Sequence, residues 1–450
     1  MVDPATEEID LRGELTRLVS LAWPVVLTQL GFMGMGVVDT MMVGRLGGDA
    51  IAATALGHSW SFAALILIIG VGQGLDPLFA QAFGARDPDR AGREMFRAFW
   101  LMGLMCLPMV VHHNLAAPGL TLLGQPAELV DRASQYASIL SWCVPAMMFF
   151  VVLRQYLQGK GQMRPAMWVL VVANVVNIAG NEVLIYGRFG IPEMGIAGCA
   201  WSTVFVRIVM AVVLLVLSWR EFSSVIPQWR ESFSWSELLQ QAGIAVPVGL
   251  QTGFEVWAFQ ASIVLMGWFG PTAIAGHVVA INMCSVSFMV PLGISAAAST
   301  RVGNLIGARL EFKRAAWTSI AMGGLVMTVS ATLFVLIPEY LALLYSPNDL
   351  AVVAMATSLL PLAAFFQLFD GTQVVAFGVL RGAGDTRVPS LASIFGFWFL
   401  GLPAGAGLAF GLGFGPRGIW LGLTLALASV AFLLLFRVRY TIARGGFPVE

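Results

Sequence analysis

The sequence predicts an all-α polytopic membrane protein, twelve transmembrane helices in two homologous six-helix lobes. Three observations predict it: composition, the length of the apolar runs and an internal repeat. Of 450 residues, 58% are hydrophobic and 11% charged, with a mean hydropathy of +0.82. Soluble domains carry about 45–50% apolar and about 25% charged residues. Apolar runs recur along the whole chain, each near the roughly 20 residues an α-helix needs to cross a bilayer.

Reading these runs between polar punctuation gives six spans at 15–43, 51–81, 95–117, 132–157, 165–187 and 195–218. A second set follows at 237–268, 273–306, 315–338, 350–380, 388–412 and 417–440. Between the sets lies "WREFSSVIPQWRESFSWSE", residues 219–237, the longest polar stretch inside the chain. The expected organisation is an N-lobe over 1–218, a cytoplasmic linker over 219–236 and a C-lobe over 237–450. The N-terminus, "MVDPATEEID", is acidic and polar, so no cleavable leader is expected and the first helix serves as its own insertion signal. Cys106, Cys143, Cys199 and Cys284 all lie in apolar runs without metal or redox spacing and read as small buried hydrophobes.

The lobes are copies. A single offset of 223 carries Pro24 onto Pro247, "AIA" at 50–52 onto 273–275 and "GAR" at 84–86 onto 307–309. It also carries "LQGKGQMR" at 157–164 onto "LRGAGDTR" at 380–387. Copies of six helices share one topology, related by an axis along the membrane normal. Pro24 and Pro247 are expected to kink their helices at one place in each copy. Orientation follows from the basic residues. With the N-terminus inside, 20 of the 25 arginines and lysines fall on the cytoplasmic side. Arg45, Arg132, Arg188 and Arg417 fall opposite, and Arg207 lies inside a span, so both termini are predicted cytoplasmic in a cell inner membrane.

Composition and motifs also exclude functions. No P-loop, HExxH, cofactor fingerprint or nucleophile–base constellation is present, so an ATP-driven pump or an embedded enzyme is unsupported. No cofactor and no nucleic-acid partner are expected. The spans call for a lipid bilayer around what reads as a monomer.

Three carboxylates lie well inside spans: Asp39 in the first, Glu255 in the seventh and Asp370 in the tenth. An acid at the bilayer centre costs about 2.5–3.5 kcal/mol, so such groups face the bundle interior or a water-filled cavity and mark function. The offset maps Asp39 onto Ser262, Glu255 onto Phe32 and Asp370 onto Met147, so the fold itself does not require the acids. Polar neighbours recur at helical spacing: Gln251, Thr252, Glu255 and Ser262 on the seventh span, and Gln367, Asp370 and Gln373 or Val374 on the tenth. Asn177 and Asn181 stand four residues apart on the fifth, with Thr203 early in the sixth. Carboxylate, amide and hydroxyl oxygens suit a hard monovalent cation or a proton.

Other polar or soft residues compete with structural readings. Gln29, Met33, Gln251, His277 and Gln367 are candidates for contacting substrate, although His277 reads first as a hydrogen-bonded core histidine. Arg207 reads as snorkelling or paired near a helix end before it reads as a gate or substrate contact. Asp76 and Glu182 lie near span ends, where a solvated acid is ordinary. Met33, Met35, Met41 and Met42 are either adaptable filler or a promiscuous binding wall.

These residues carry a resemblance. "WPVVLTQLGFMGMGVVDTMMVGRLG", "AQAFGARDPDRAGR", "LQGKGQMRP", "NVVNIAGNEVLIYG", "FEVWAF" and "QLFDGTQVVAFGVLRGAGDTR" together resemble the multidrug and toxic compound extrusion (MATE) family, in its NorM-like branch. The resemblance implies a V-shaped pair of six-helix lobes exporting organic, often cationic compounds in exchange for Na+ or H+. It places Asp39, Asn177, Asn181 and Thr203 in an N-lobe cation cluster and Glu255 and Asp370 among C-lobe coupling acids. Asn181 is an amide where some relatives carry an aspartate. The nearest rival is an exporter of lipid-linked precursors of a related fold, which calls for more helices and a basic central cavity; a channel is disfavoured because the acids differ between the copies.

Overall fold

The computed structural model describes residues 10–447. Among them 88% are helical and no strand occurs. Twelve long helices follow in order. In the first copy they are α1 (Leu11–Val43), α2 (Gly48–Gly74, continued as Asp76–Gly84), α3 (Pro88–Asn114), α4 (Ala127–Leu140, continued as Val144–Gly159), α5 (Arg164–Tyr186) and α6 (Gly195–Leu217). In the second they are α7 (Trp235–Gly267), α8 (Pro271–Gly307), α9 (Lys313–Leu336), α10 (Leu350–Gly382), α11 (Arg387–Gly411) and α12 (Pro416–Ala443). Eleven are long and apolar enough to cross a membrane. The exception, α7, has the length, 33 residues, but carries Gln251, Thr252, Glu255 and Gln260. These polar residues are what dilute its hydropathy.

Capping signals set two of the helix starts, α3 beginning ahead of its apolar run and α10 at the residue expected. At α3 the Asp87 carboxylate accepts from the Arg90 amide at 2.8 Å and Pro88 takes the first helical position. At α10 the Asp349 carboxylate accepts from the amides of Ala351 and Val352 at 3.1 and 3.2 Å, a cap worth about 1 kcal/mol. The stretch expected as a linker is itself helical over Trp219–Val225 and Ile226–Glu231. Trp229 stacks on Trp100 of α3 at 4.8 Å, and Glu221 pairs with Lys160 at the end of α4.

The duplication is written into the backbone. Left-handed residues recur at the offset of 223: Gly47 with Gly270 (φ 110° and 95°), Arg86 with Arg309 (58° and 57°), Gly161 with Gly384 (80° and 81°) and Gly190 with Gly413 (83° and 72°). An arginine in this region is strained, and its appearance twice in "GAR" identifies a turn that each copy needs. The glycine before it has a packing reason. A Cβ on Gly84 would lie 2.1 Å from the Asn304 carbonyl oxygen, and one on Gly307 would lie 2.1 Å from that of Gln81. Gln81 and Asn304 are themselves offset equivalents. The two helix ends therefore cross backbone to backbone about a local two-fold, and only glycine fits at the crossing.

The chain packs as two compact units. One holds the described residues of Met1–Val26, Asp76–Arg86 and Leu250–Glu450. The other holds Leu27–Leu75 and Asp87–Gly249. Each unit is thus built on one copy and takes the opening segment of the other copy's first helix. The cuts fall after Val26 and Gly249, again offset equivalents, just beyond the helix-interior prolines Pro24 and Pro247. A proline removes one backbone hydrogen bond and kinks the helix, so a helix can change allegiance there.

Ion pairs fix the exchanged segments, one buried on both sides and one with its acid partly exposed. Glu14 of α1 takes a bidentate pair from Arg301 of α8, both contacts at 2.9 Å, with side chains 3% and 4% exposed. Glu237 of α7, the offset equivalent of Glu14, pairs with Arg97 of α3. Arg97 is also held by Glu94 at 2.8 Å. Asp76 corrects the sequence reading: it is not a solvated acid but is 1% exposed and paired with Arg381 at 3.2 Å. The neighbouring arginine is distant in sequence, so hydropathy alone could not announce it. Glu182 is a surface acid as expected, paired with Arg188 at 3.2 Å.

Candidate functional site

In the unit built on α2–α6, three helices converge on one carboxylate. Asp39 lies near the end of α1, half-buried. The Asn177 and Asn181 amides, one turn apart on α5, donate to the same Asp39 oxygen at 3.0 and 2.6 Å. With both nitrogens committed, the amide oxygens of Asn177 and Asn181 remain buried without a hydrogen-bond partner. Thr203 on α6 faces the carboxylate and gives its hydroxyl proton to the Cys199 carbonyl at 3.1 Å, leaving its lone pairs as acceptors. The cluster therefore offers one carboxylate, two orphaned amide oxygens and a hydroxyl oxygen. That donor set fits a hard cation, since a buried acceptor without a donor is a standing cost that a cation would remove.

In the unit built on α8–α12, Glu255 takes the centre. Its carboxylate accepts from Gln251 one turn earlier on α7 and from Gln373 of α10 at 3.3 Å. Gln373, rather than Val374, is thus the third member of the α10 stripe. Asp370, one turn before it and 5% exposed, lies within electrostatic reach of Glu255. No arginine, lysine or histidine is hydrogen-bonded to either acid among the described residues. Two acids sharing an apolar site without a hydrogen-bonded basic partner form a place that a cation complements.

The remaining candidates divide. Gln367 is fully buried, its amide nitrogen on the Cys284 sulfur at 3.6 Å. His277 is fully buried too, with Nε2 3.3 Å from the Ser262 hydroxyl and its ring edge-on to Trp420 at 5.5 Å. Both are knit into the helix packing, whereas Gln29 and Met33 are only half-buried along α1. The α1 methionines form no single wall, because Met35 is 4% exposed and Met41 is 69% exposed. All four cysteines are free, two of them buried.

Arg207 is the residue whose surroundings the sequence reading missed. It is neither at a helix end nor ion-paired among the described residues. Near the middle of α6, its Nη1 is turned onto the Met147 sulfur, its guanidinium lies over the Phe32 ring at 5.7 Å, and Nε is buried without a partner. The signal was present in the offset table, since Phe32 and Met147 are the counterparts of Glu255 and Asp370.

Comparison with known proteins sets this geometry in a family. The MatE family model matches residues 24–183 and again 247–406, two segments separated by the same 223 residues. The chain is 37% identical over 444 residues to the probable multidrug resistance protein NorM of Mesorhizobium japonicum, covering 95% of this chain and 94% of that one. It is 35% identical over 437 residues to the multidrug resistance protein MdtK of Yersinia enterocolitica, with 95% of each covered. Among solved structures it is similar to the eukaryotic MATE transporter AtDTX14, at a TM-score of 0.85 and 23% identity over 97% of this chain and 99% of that one. A MATE in complex with MaL6 matches at a TM-score of 0.86 and 20% identity, over 97% and 98% of the two chains.

Proposed function

The chain belongs to the MatE family of multi-pass membrane transporters, and from that premise we propose that it is a secondary antiporter of the cell inner membrane. It exports organic, often cationic compounds in exchange for Na+ or H+, as a monomer with both termini cytoplasmic. The observation that carries this reading is the pair of acid clusters within the long apolar helices, each built of oxygen donors. Asp39 with Asn177, Asn181 and Thr203 forms one, and Glu255 with Asp370 and Gln373 the other. The names of the multidrug resistance relatives support organic compounds as the cargo.

In the proposed cycle, the outward-facing state takes the coupling ion at these acids, which weakens substrate binding and releases it outside. Return to the inward-facing state discharges the ion and admits new substrate. Exchange of this kind requires that ion and substrate each bind the two states with different affinity. The proline-containing helices α1 and α7 carry Asp39 and Glu255, and each is divided between the two compact units, so ion binding on them is suitably placed to bias the state.

Efflux of a fluorescent organic cation from proteoliposomes, with sodium and pH gradients imposed separately, tests the reading. Efflux driven by either gradient is expected, and the gradient that drives it identifies the ion. Indifference to both gradients would overturn the antiporter reading.

A further inference from the structure

We propose that Arg207 is a substrate-selectivity residue: a site for the carboxylate of amphoteric organic compounds, built where the other repeat places its paired acids. The inference rests on the export reading above and deepens it.

The repeat supplies the argument. The offset of 223 pairs Phe32 with Glu255, Met147 with Asp370 and Arg207 with Val430. In one unit these places hold two carboxylates and a fully buried valine. In the other they hold an aromatic ring, a thioether and a guanidinium touching both. The charge of the place is inverted. The fold does not need the arginine, because its counterpart is an aliphatic residue packed in a core.

The arginine's own partners are poor. A guanidinium has five N–H donors in a planar fork that matches a carboxylate bidentately. Here it has a weak sulfur acceptor, an aromatic face and a buried Nε with nothing to donate to. A cation near mid-membrane costs about 2.5–3.5 kcal/mol and is normally paired. An unpaired one, held in place by apolar groups and only half-buried, is a donor kept for a ligand. Phe32 and Met147 supply a flat, soft wall beside it for the body of an organic molecule.

Charge narrows the ligand. Asp39 and His58 lie within electrostatic reach of Arg207. An acid and a guanidinium within electrostatic reach of each other complement a compound that carries an amine and a carboxylate together.

The test compares rhodamine B, a xanthene cation with a free carboxylate, and its methyl ester, the same cation without it. Dye-polarisation titrations on the detergent-purified full chain and efflux from proteoliposomes are run for wild type, Arg207→Gln and Arg207→Lys. Arg207→Gln is expected to weaken rhodamine B by about tenfold, the loss of one charged hydrogen-bonded contact, and to leave the ester unchanged. Arg207→Lys is expected to recover part of the loss, since it keeps the charge without the fork. Equal weakening of both dyes, no weakening of either, or no binding of rhodamine B to the wild type would overturn the inference. Should wild-type vesicles move neither dye under either gradient, the export reading fails, and the binding titrations still decide the role of Arg207. Should Arg207→Gln not elute as folded protein, Arg207→Lys decides by the same criterion, a loss confined to the carboxylate dye.

Discussion

The opening helices of the two repeats, α1 and α7, set the same problem and answer it differently. On α1, position 32 is a phenylalanine under an arginine and position 39 an acid held by two amides. On α7 the order reverses: position 255 is the acid, and position 262 is a serine against a buried histidine. The duplicated scaffold therefore offers two places per copy, two turns apart, and each copy charges a different one. What the difference teaches is that the fold does not require the acids, since each copy's packing accommodates a neutral residue where the other has its carboxylate.

The two acids also differ in how firmly they are held, and substitutions can separate them. The largest expected effect is that of Asp39→Asn, which abolishes ion-driven efflux in proteoliposomes while leaving expression and elution profile intact. Wild-type efflux from this variant would remove α1 from the coupling machinery. Next comes Glu255→Gln, which keeps the shape and the bonds to Gln251 and Gln373 but removes the charge. Its apparent affinity for the coupling ion, read from the ion dependence of efflux, is expected to fall about tenfold, or about 1.4 kcal/mol. An unchanged ion dependence would leave the α7 acid without a coupling role.

Smaller effects test the supports. Asn181→Ala removes a 2.6 Å bond to the Asp39 carboxylate and an orphaned amide oxygen together. Ion affinity is expected to drop about fivefold, ~1 kcal/mol, within the range for a bond to a charged group. A gain in affinity would mean that the amide competes with the ion instead of helping to hold it. Gln373→Ala removes only a 3.3 Å contact while Gln251 still serves Glu255. About a twofold change is expected, ~0.4 kcal/mol. If this loss exceeds that of Asn181→Ala, the firmly held acid is the one on α7.

Much of this was legible before the structure. The twelve long helices stand close to the expected spans, and eleven announce themselves by composition; α7, diluted by its polar residues, is supported by the repeat. The i, i+4 amide pair and the acid were each visible, but only the family resemblance implied that Asp39, Asn177 and Asn181 share one cluster, which the hydrogen bonds now join. The partners of Asp76, Arg97 and Arg301 were not, since each lies in a distant segment of sequence and the pairing depends on which helix end meets which. Arg207 was read as snorkelling or paired near a helix end before a gate or substrate contact for the same reason: its position in the span was visible, but the sulfur and ring beneath it come from α4 and α1.

The pair between Glu14 and Arg301 sets an order of events during synthesis. The two residues are 287 positions apart, so at about 5–20 residues per second the start of α1 spends roughly fifteen to sixty seconds in the membrane before its partner is made. Glu237 suffers no such delay, because Arg97 has already emerged. The N-terminal half can therefore not complete its own packing as a separate polypeptide, and a chain severed at the 219–236 stretch leaves Glu14 without its arginine until the second fragment arrives. Duplication made the halves alike, and the crossed helix openings made them inseparable.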